Sequence, residues 1–118
     1  MITKMSKHYK MDFYNTYVII ERNGQVHVDS KNARETLQII ADHYKSKPYV
    51  IISNRTQSYT VNAESYTPNM FNKVKGIAVV SQDPNMKTQA VMEQLNFKNS
   101  FAFFDKLEEA KNWAENFF

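Results

Sequence analysis

Three short apolar runs constrain what this chain can become. Tyr49-Val50-Ile51-Ile52, Gly76-Ile77-Ala78-Val79-Val80-Ser81 and Ser100-Phe101-Ala102-Phe103-Phe104 each have strand length and a β-branched or aromatic content. Helical patterns alternate with them. Ala33, Leu37, Ile40, Ala41 and Tyr44 share one helical face. Asp29-Ser30 supplies an N-cap before that helix, and Lys45-Ser46-Lys47 followed by Pro48 closes it. Asp83-Pro84 is a cap with proline in the first turn, followed by a stripe of Thr88, Val91, Met92 and Leu95. Asp105-Lys106-Leu107-Glu108 reads as a capping box for a closing helix that carries Leu107, Ala110, Ala114 and Phe117 on one face. Strand alternating with helix implies crossover connections and a mostly parallel sheet.

The first thirty residues depart from that alternation. Tyr9, Met11 and Phe13 alternate with polar neighbours, and Tyr17-Val18-Ile19-Ile20-Glu21-Arg22 is β-branched. Asn15-Thr16 turns the chain between them, which adds an antiparallel hairpin to the parallel sheet. Asn23-Gly24 is a second hairpin signal, with Gln25-Val26-His27-Val28 as a third small strand or a tail of the second. A further helix is expected from Thr67-Pro68. The expectation is a single α/β domain over residues 8–118, with a mixed sheet of four or five strands and about four helices. Residues 1–7 read as a flexible N-terminal segment.

Composition narrows the function. The chain has 118 residues, 42% of them hydrophobic and 14% aromatic, enough for one core. It has no apolar run of about 18 residues, so no transmembrane segment is expected. Met1 to Lys7 carry lysines without an apolar stretch behind them, unlike a secretory signal. With no cysteine there is no disulfide or thiolate chemistry, and a cytoplasmic location is expected. Fifteen basic against twelve acidic residues give +3, too mild and too interspersed in sequence to suggest a nucleic-acid binder. His8, His27 and His43 fall on different elements, so no metal site is expected. Two glycines in the whole chain exclude a phosphate-cradling glycine loop, and no nucleophile elbow surrounds any serine. No catalytic residue and no cofactor is assigned.

The polar stretch after Ile52 is the candidate site. In open α/β sheets ligands sit beyond the carboxyl ends of strands. Asn54, Arg55, Gln57, Ser58 and Tyr59 follow such an end, and Ser81, Gln82 and Asp83 follow the next. Arg55 presents a planar fork suited to a carboxylate or phosphate, unless a local acid such as Glu64 takes it. Met70-Phe71 suggests an apolar pocket or contact surface nearby.

Element order and three segments, "YVIISN", "GIAVVSQD" and "SFAFFDKLEEAKNWAENFF", resemble the STAS / SpoIIAA-like family, including small bacterial proteins grouped near Sec14-type lipid-binding domains. The likeness spans residues 9 to 117. It implies a non-enzymatic module that binds a partner protein, with nucleotides or other small ligands bound by some members. It also implies a switch serine at the start of a helix, for which the matching stretch is "SYTVNAES", residues 58–65. Val61 and Asn62 stand where that serine would be, and no glycine lies between Gly24 and Gly76. The expected contact residues are Asn54, Arg55, Ser58, Tyr59, Met70 and Phe71. The expected partner is a protein. The alternative is a small apolar or anionic ligand, including a lipid, in a pocket near Met70-Phe71 with Arg55 at its mouth. A homodimer is compatible with both.

Overall fold

The computed structural model describes residues 1–6, 8–22, 30–56, 73–95 and 97–118, and side chains of the first helix from residue 34 onward. Its elements run β1 (Ile2–Met5), β2 (Tyr9–Phe13), β3 (Tyr17–Arg22), α1 (Ser30–Tyr44), β4 (Tyr49–Asn54), β5 (Val74–Val80), α2 (Pro84–Gln94), β6 (Ser100–Phe104) and α3 (Leu107–Glu115). The strands form one sheet in the order β1-β2-β3-β4-β5-β6. The first three are antiparallel, and β3 to β6 are parallel.

Period-two alternation distributes the strand residues between two cores. Tyr49, Ile51, Ile77 and Val79 face a cluster that includes Leu37, Ile40 and Tyr44 of α1 and Ala90 of α2. Val50, Ile52, Ala78 and Val80 face Ala110 and Ala114 of α3. The parallel strands are therefore covered on both faces, which is why their sequences read as continuous apolar runs. Gly76 lies where α3 and its C-terminal extension press on β5. A Cβ there would stand 2.9 Å from Trp113 Cη2 and 3.0 Å from Phe117 Cε2.

Four expectations are corrected. The sheet has six strands rather than four or five, because Ile2–Met5 pairs antiparallel with β2 along Ile2↔Phe13 to Met5↔Lys10. All four β1 residues are exposed, so the strand has no buried alternation to announce it. Three helices rather than four occur among the described residues; the helix expected at Thr67-Pro68 lies outside them. The stripe read for α2 points outward, with Val91 47%, Met92 57% and Leu95 75% exposed. The helix instead buries Met86, Ala90 and Glu93. Small Ala90 permits close approach to the sheet, and Glu93 has a buried partner described below. Finally, Asp105 is not the cap of α3. The N-cap is Lys106, which makes no side-chain capping bond, while the Asp105 carboxylate accepts a hydrogen bond from Lys87 Nζ. Asp83, by contrast, caps α2 as its sequence implies, accepting from the Asn85 N–H at 2.9 Å with Pro84 in the first turn. Asp29, Asn23-Gly24 and residues 25–28 lie outside the described residues.

Candidate functional site

The carboxyl ends of β4 and β5 open onto a crevice of about 720 Å³. Its walls come from three successive connections. Asn54, Arg55 and Thr56 follow β4; Ser81, Gln82 and Asp83 follow β5; Asp105, Lys106 and Leu107 follow β6. Parallel pairing places these ends together, and the backbone continues the pairing beyond the strands. Arg55 N–H donates to Val80 O at 2.9 Å, and Ser81 N–H donates to Phe104 O at 3.1 Å.

Arg55 has the parity of Tyr49, Ile51 and Ser53, so it lies on the α1–α2 side of the sheet. There it is buried, and so is Glu93 of α2. The guanidinium Nη1 and Nη2 donate to Glu93 Oε2 and Oε1, each at 2.5 Å, and both side chains are 2% exposed. The third donor, Nε, reaches Ser53 Oγ at 3.1 Å. A planar fork meets a carboxylate edge to edge, the strongest geometry available to such a pair. Desolvating both charges offsets much of that attraction, so the pair acts more as a specific tie than as a source of net stability. It fixes the α2 helix over the end of β4.

The other two carboxylates lining the crevice, Asp83 and Asp105, also have partners in the protein, while the exposed Lys106 ammonium forms no ion pair among the described residues. Asp83 is held by the α2 backbone, and the Ser81 hydroxyl oxygen accepts from Asp83 N–H at 3.1 Å. Lys87 and Asp105 form an exposed pair across the mouth. Thr56 Oγ1 donates to Glu21 Oε1 at 3.4 Å. Thr56 and Gln82 are exposed on the rim, and Asn54 is half-buried.

Of the six residues expected to form the site, Asn54 and Arg55 line the crevice, and Ser58, Tyr59, Met70 and Phe71 lie outside the described residues, as do Gln57, Glu64 and the stretch 58–65. Ser81, Gln82 and Asp83 share the crevice with Asn54 and Arg55, as their positions after adjacent strands imply. Sequence reasoning missed Glu93. Its signal was faint but present: an acid spaced with Met86 and Ala90 on the inner face of a helix, and such an acid needs a buried cation.

The ionisable groups with clear shifts lie away from this crevice. Tyr17, Tyr44 and Tyr49 all have raised pKa values, chiefly through burial, with Tyr49 at about 12. Tyr17 is raised further by its hydrogen bond to Glu115. These are structural hydroxyls: Tyr44 donates to Tyr17 O at 2.6 Å and Tyr14 O at 2.8 Å, tying α1 to the β2–β3 turn. Among the described residues no group of three or more His, Cys, Asp or Glu is placed to hold a metal ion. No described helix is long and apolar enough to cross a membrane.

With this geometry in view, the chain was compared with known proteins. No family model matches it, and no curated protein matches it. Among solved structures it is similar to the crystal structure of an uncharacterized protein of the DUF3478 family, with a SpoIIAA-like fold, from Shewanella loihica PV-4. The match has a TM-score of 0.61 and covers 94% of this chain and 98% of that one. The fold is SpoIIAA-like. The resemblance read from element order is thus matched in three dimensions, at 13% identity, where likeness speaks for fold and assigns no residue a role.

Proposed function

We propose that this SpoIIAA-like chain is a non-enzymatic regulatory module that binds a protein partner at the carboxyl edge of its sheet, with Asn54, Thr56 and Gln82 on the contact rim. The Arg55–Glu93 pair carries this reading. The guanidinium that could have anchored an anionic substrate is engaged by Glu93 through both terminal nitrogens. The nearby carboxylates of Asp83 and Asp105 hold α2 and Lys87. Acid–base chemistry needs a titrating group aimed at a substrate. The rim offers short hydrogen-bonding groups instead, which suit a polypeptide segment laid across the strand ends. The SpoIIAA-like fold supports a binding module in the same way.

Arg55 is a poor probe of this contact, because its removal strands Glu93 in the core. The exposed rim residues Thr56 and Gln82 serve better. The tagged full chain, captured from its source cells, is expected to retain a partner at fixed stoichiometry. Thr56→Arg and Gln82→Arg are expected to lose it without a change in melting temperature. Retention of that partner by both variants would move the contact elsewhere.

The crevice volume supports a second reading. About 720 Å³ lies within the range of roughly 300–1,000 Å³ usual for small-ligand pockets. A small ligand here would meet mixed walls, polar groups together with Val80 and Leu107, while the further apolar wall expected from Met70-Phe71 lies outside the described residues. Native mass spectrometry of gently purified protein separates the readings, since a ligand adds mass that leaves on denaturation.

A further inference from the structure

The opposite edge of the sheet is built differently. β4, β5 and β6 begin there, and α1 ends there. Parallel register places Lys47 just ahead of Tyr49, Lys73 ahead of Val74 and Lys98 ahead of Ser100, with Lys45 at the end of α1. Tyr49 N–H donates to Lys73 O at 3.0 Å, and Asn99 Nδ2 donates to Val74 O at 3.0 Å, so these strand starts are tied side by side. The register between β4 and β5 shifts at Tyr49/Val50, whose partners are Val74 and Gly76; Lys75 is the extra residue of that irregularity. All five lysines are exposed. Lys45 even occupies a left-handed backbone position, φ 58°, where glycine would be unstrained.

No carboxylate forms an ion pair with any of the five among the described residues. Glu115, the acid that reaches this edge from α3, is taken by the Tyr17 hydroxyl at 2.9 Å. No described arginine contributes here: Arg22 and Arg55 stand at the carboxyl ends of β3 and β4, and Arg34 is in the early part of α1. Exposed apolar side chains accompany the lysines. Phe118 is 58% exposed, with its ring 5.2 Å from Phe117, which packs over Gly76. Ile2, 55% exposed, lies at the same end, opposite Phe13.

We propose that this lysine-rimmed amino edge docks on an anionic lipid surface. The charge complementarity is specific in kind. Hydrated ammonium groups on long stems suit a diffuse negative field, whereas a carboxylate or phosphate bound one at a time favours the arginine fork. Each lysine near an anionic leaflet contributes about 1 kcal/mol, and a few exposed apolar side chains add an interfacial anchor. The surface lies across the molecule from the crevice, so a membrane-docked chain would keep its carboxyl edge open to solution. The inference does not rest on the partner-binding reading.

The test is sedimentation of the full chain with vesicles of phosphatidylcholine alone and of phosphatidylcholine with 30% phosphatidylserine, in about 0.1 M salt, where the field extends ~10 Å. Binding is expected only to the anionic vesicles and is expected to fall steeply as salt rises. Lys73→Gln/Lys75→Gln is expected to weaken the partition coefficient about tenfold or more, by the per-lysine contribution above. The charge-matched control Lys10→Gln/Arg34→Gln, at the other end of the sheet, is expected to leave it nearly unchanged. Absence of binding to anionic vesicles at low salt overturns the proposal. So does equal loss in both double variants, which would reduce the effect to net charge. Tighter binding to duplex DNA or RNA than to anionic vesicles would overturn it as well, by making the edge a general polyanion surface.

Discussion

The two ends of the parallel strands handle charge in opposite ways. At the carboxyl end, Arg55 and Glu93 are driven into the core and neutralise each other, and the crevice acids Asp83 and Asp105 hold a helix cap and a surface lysine. At the amino end, lysines stay in water, and cohesion comes from rings. Phe13 stacks on His43 at 4.1 Å between centroids, Tyr44 stacks on Tyr49 at 4.5 Å, and Trp113 and Phe117 close over Gly76. One end is tied by a buried ion pair, and the other by ring packing supported by the neutral Tyr44 and Asn99 hydrogen bonds. The first arrangement tolerates little change at its buried partners, and the second leaves its charged residues free to vary.

The largest expected effect breaks the polar tie. Arg55→Ala leaves a desolvated carboxylate without its fork, and a loss of about 3–5 kcal/mol in folding free energy is expected. Glu93→Ala should match it. Replacing both with apolar residues, Arg55→Met with Glu93→Leu, should recover most of the loss, because the attraction and the desolvation penalty disappear together. Urea unfolding of the three variants measures this. Lys73→Gln and Lys75→Gln should by contrast stay within about 0.5 kcal/mol of the parent. If the losses of the two single variants simply add in the double variant, the pair is not coupled and the contrast between the ends fails.

A smaller effect probes the packed end. Gly76→Ala places a methyl group against the Trp113 and Phe117 rings, at separations below ordinary contact. These rings are half-buried and can give a little, so a cost of about 1–3 kcal/mol is expected from overpacking. Trimming the obstruction with Phe117→Leu in the Gly76→Ala background should return part of it. A Gly76→Ala protein as stable as the parent would mean that α3 and its extension ride loosely over β5.

How much of this was legible in the sequence differs between the same two ends. The apolar runs from Tyr49, Gly76 and Ser100 announce the parallel strands because both their faces are covered, and Asp83-Pro84 announces α2 because capping is a local property. Arg55 could be named as a candidate for the same reason: it follows a strand end. Its partner could not, since Glu93 is 38 residues away and is brought in by the turn of α2 that also faces Val91, Met92 and Leu95 outward. The stripe in α2 was misread because apolar spacing alone does not say which side meets the sheet. β1 escaped notice because an exposed edge strand carries no alternation. The lysine edge was invisible for a geometric reason. Lys45, Lys47, Lys73, Lys75 and Lys98 are interspersed with other residues along the chain, and only strand register gathers them.

The smallest effect is a pH slope at the amino end. Burial against Phe13 and the nearby Lys4 ammonium, whose Nζ lies 3.4 Å from Nδ1, lower the His43 pKa below its ordinary 6.5. A folded value below the unfolded one means that the unfolded chain binds more protons as pH falls through the ordinary range, so stability should decline on acidification from about pH 7. Urea midpoints measured between pH 7.5 and 5.5 should show that decline, and His43→Gln should flatten it. Salt then sharpens the cause. The Lys4 contribution is exposed and screens at high ionic strength, while the burial contribution does not. A slope that persists in 0.5 M salt assigns the shift to stacking on Phe13, and a slope that vanishes assigns it to the cationic field of this edge. An undiminished slope in His43→Gln would place the titrating group elsewhere and remove His43 from the comparison.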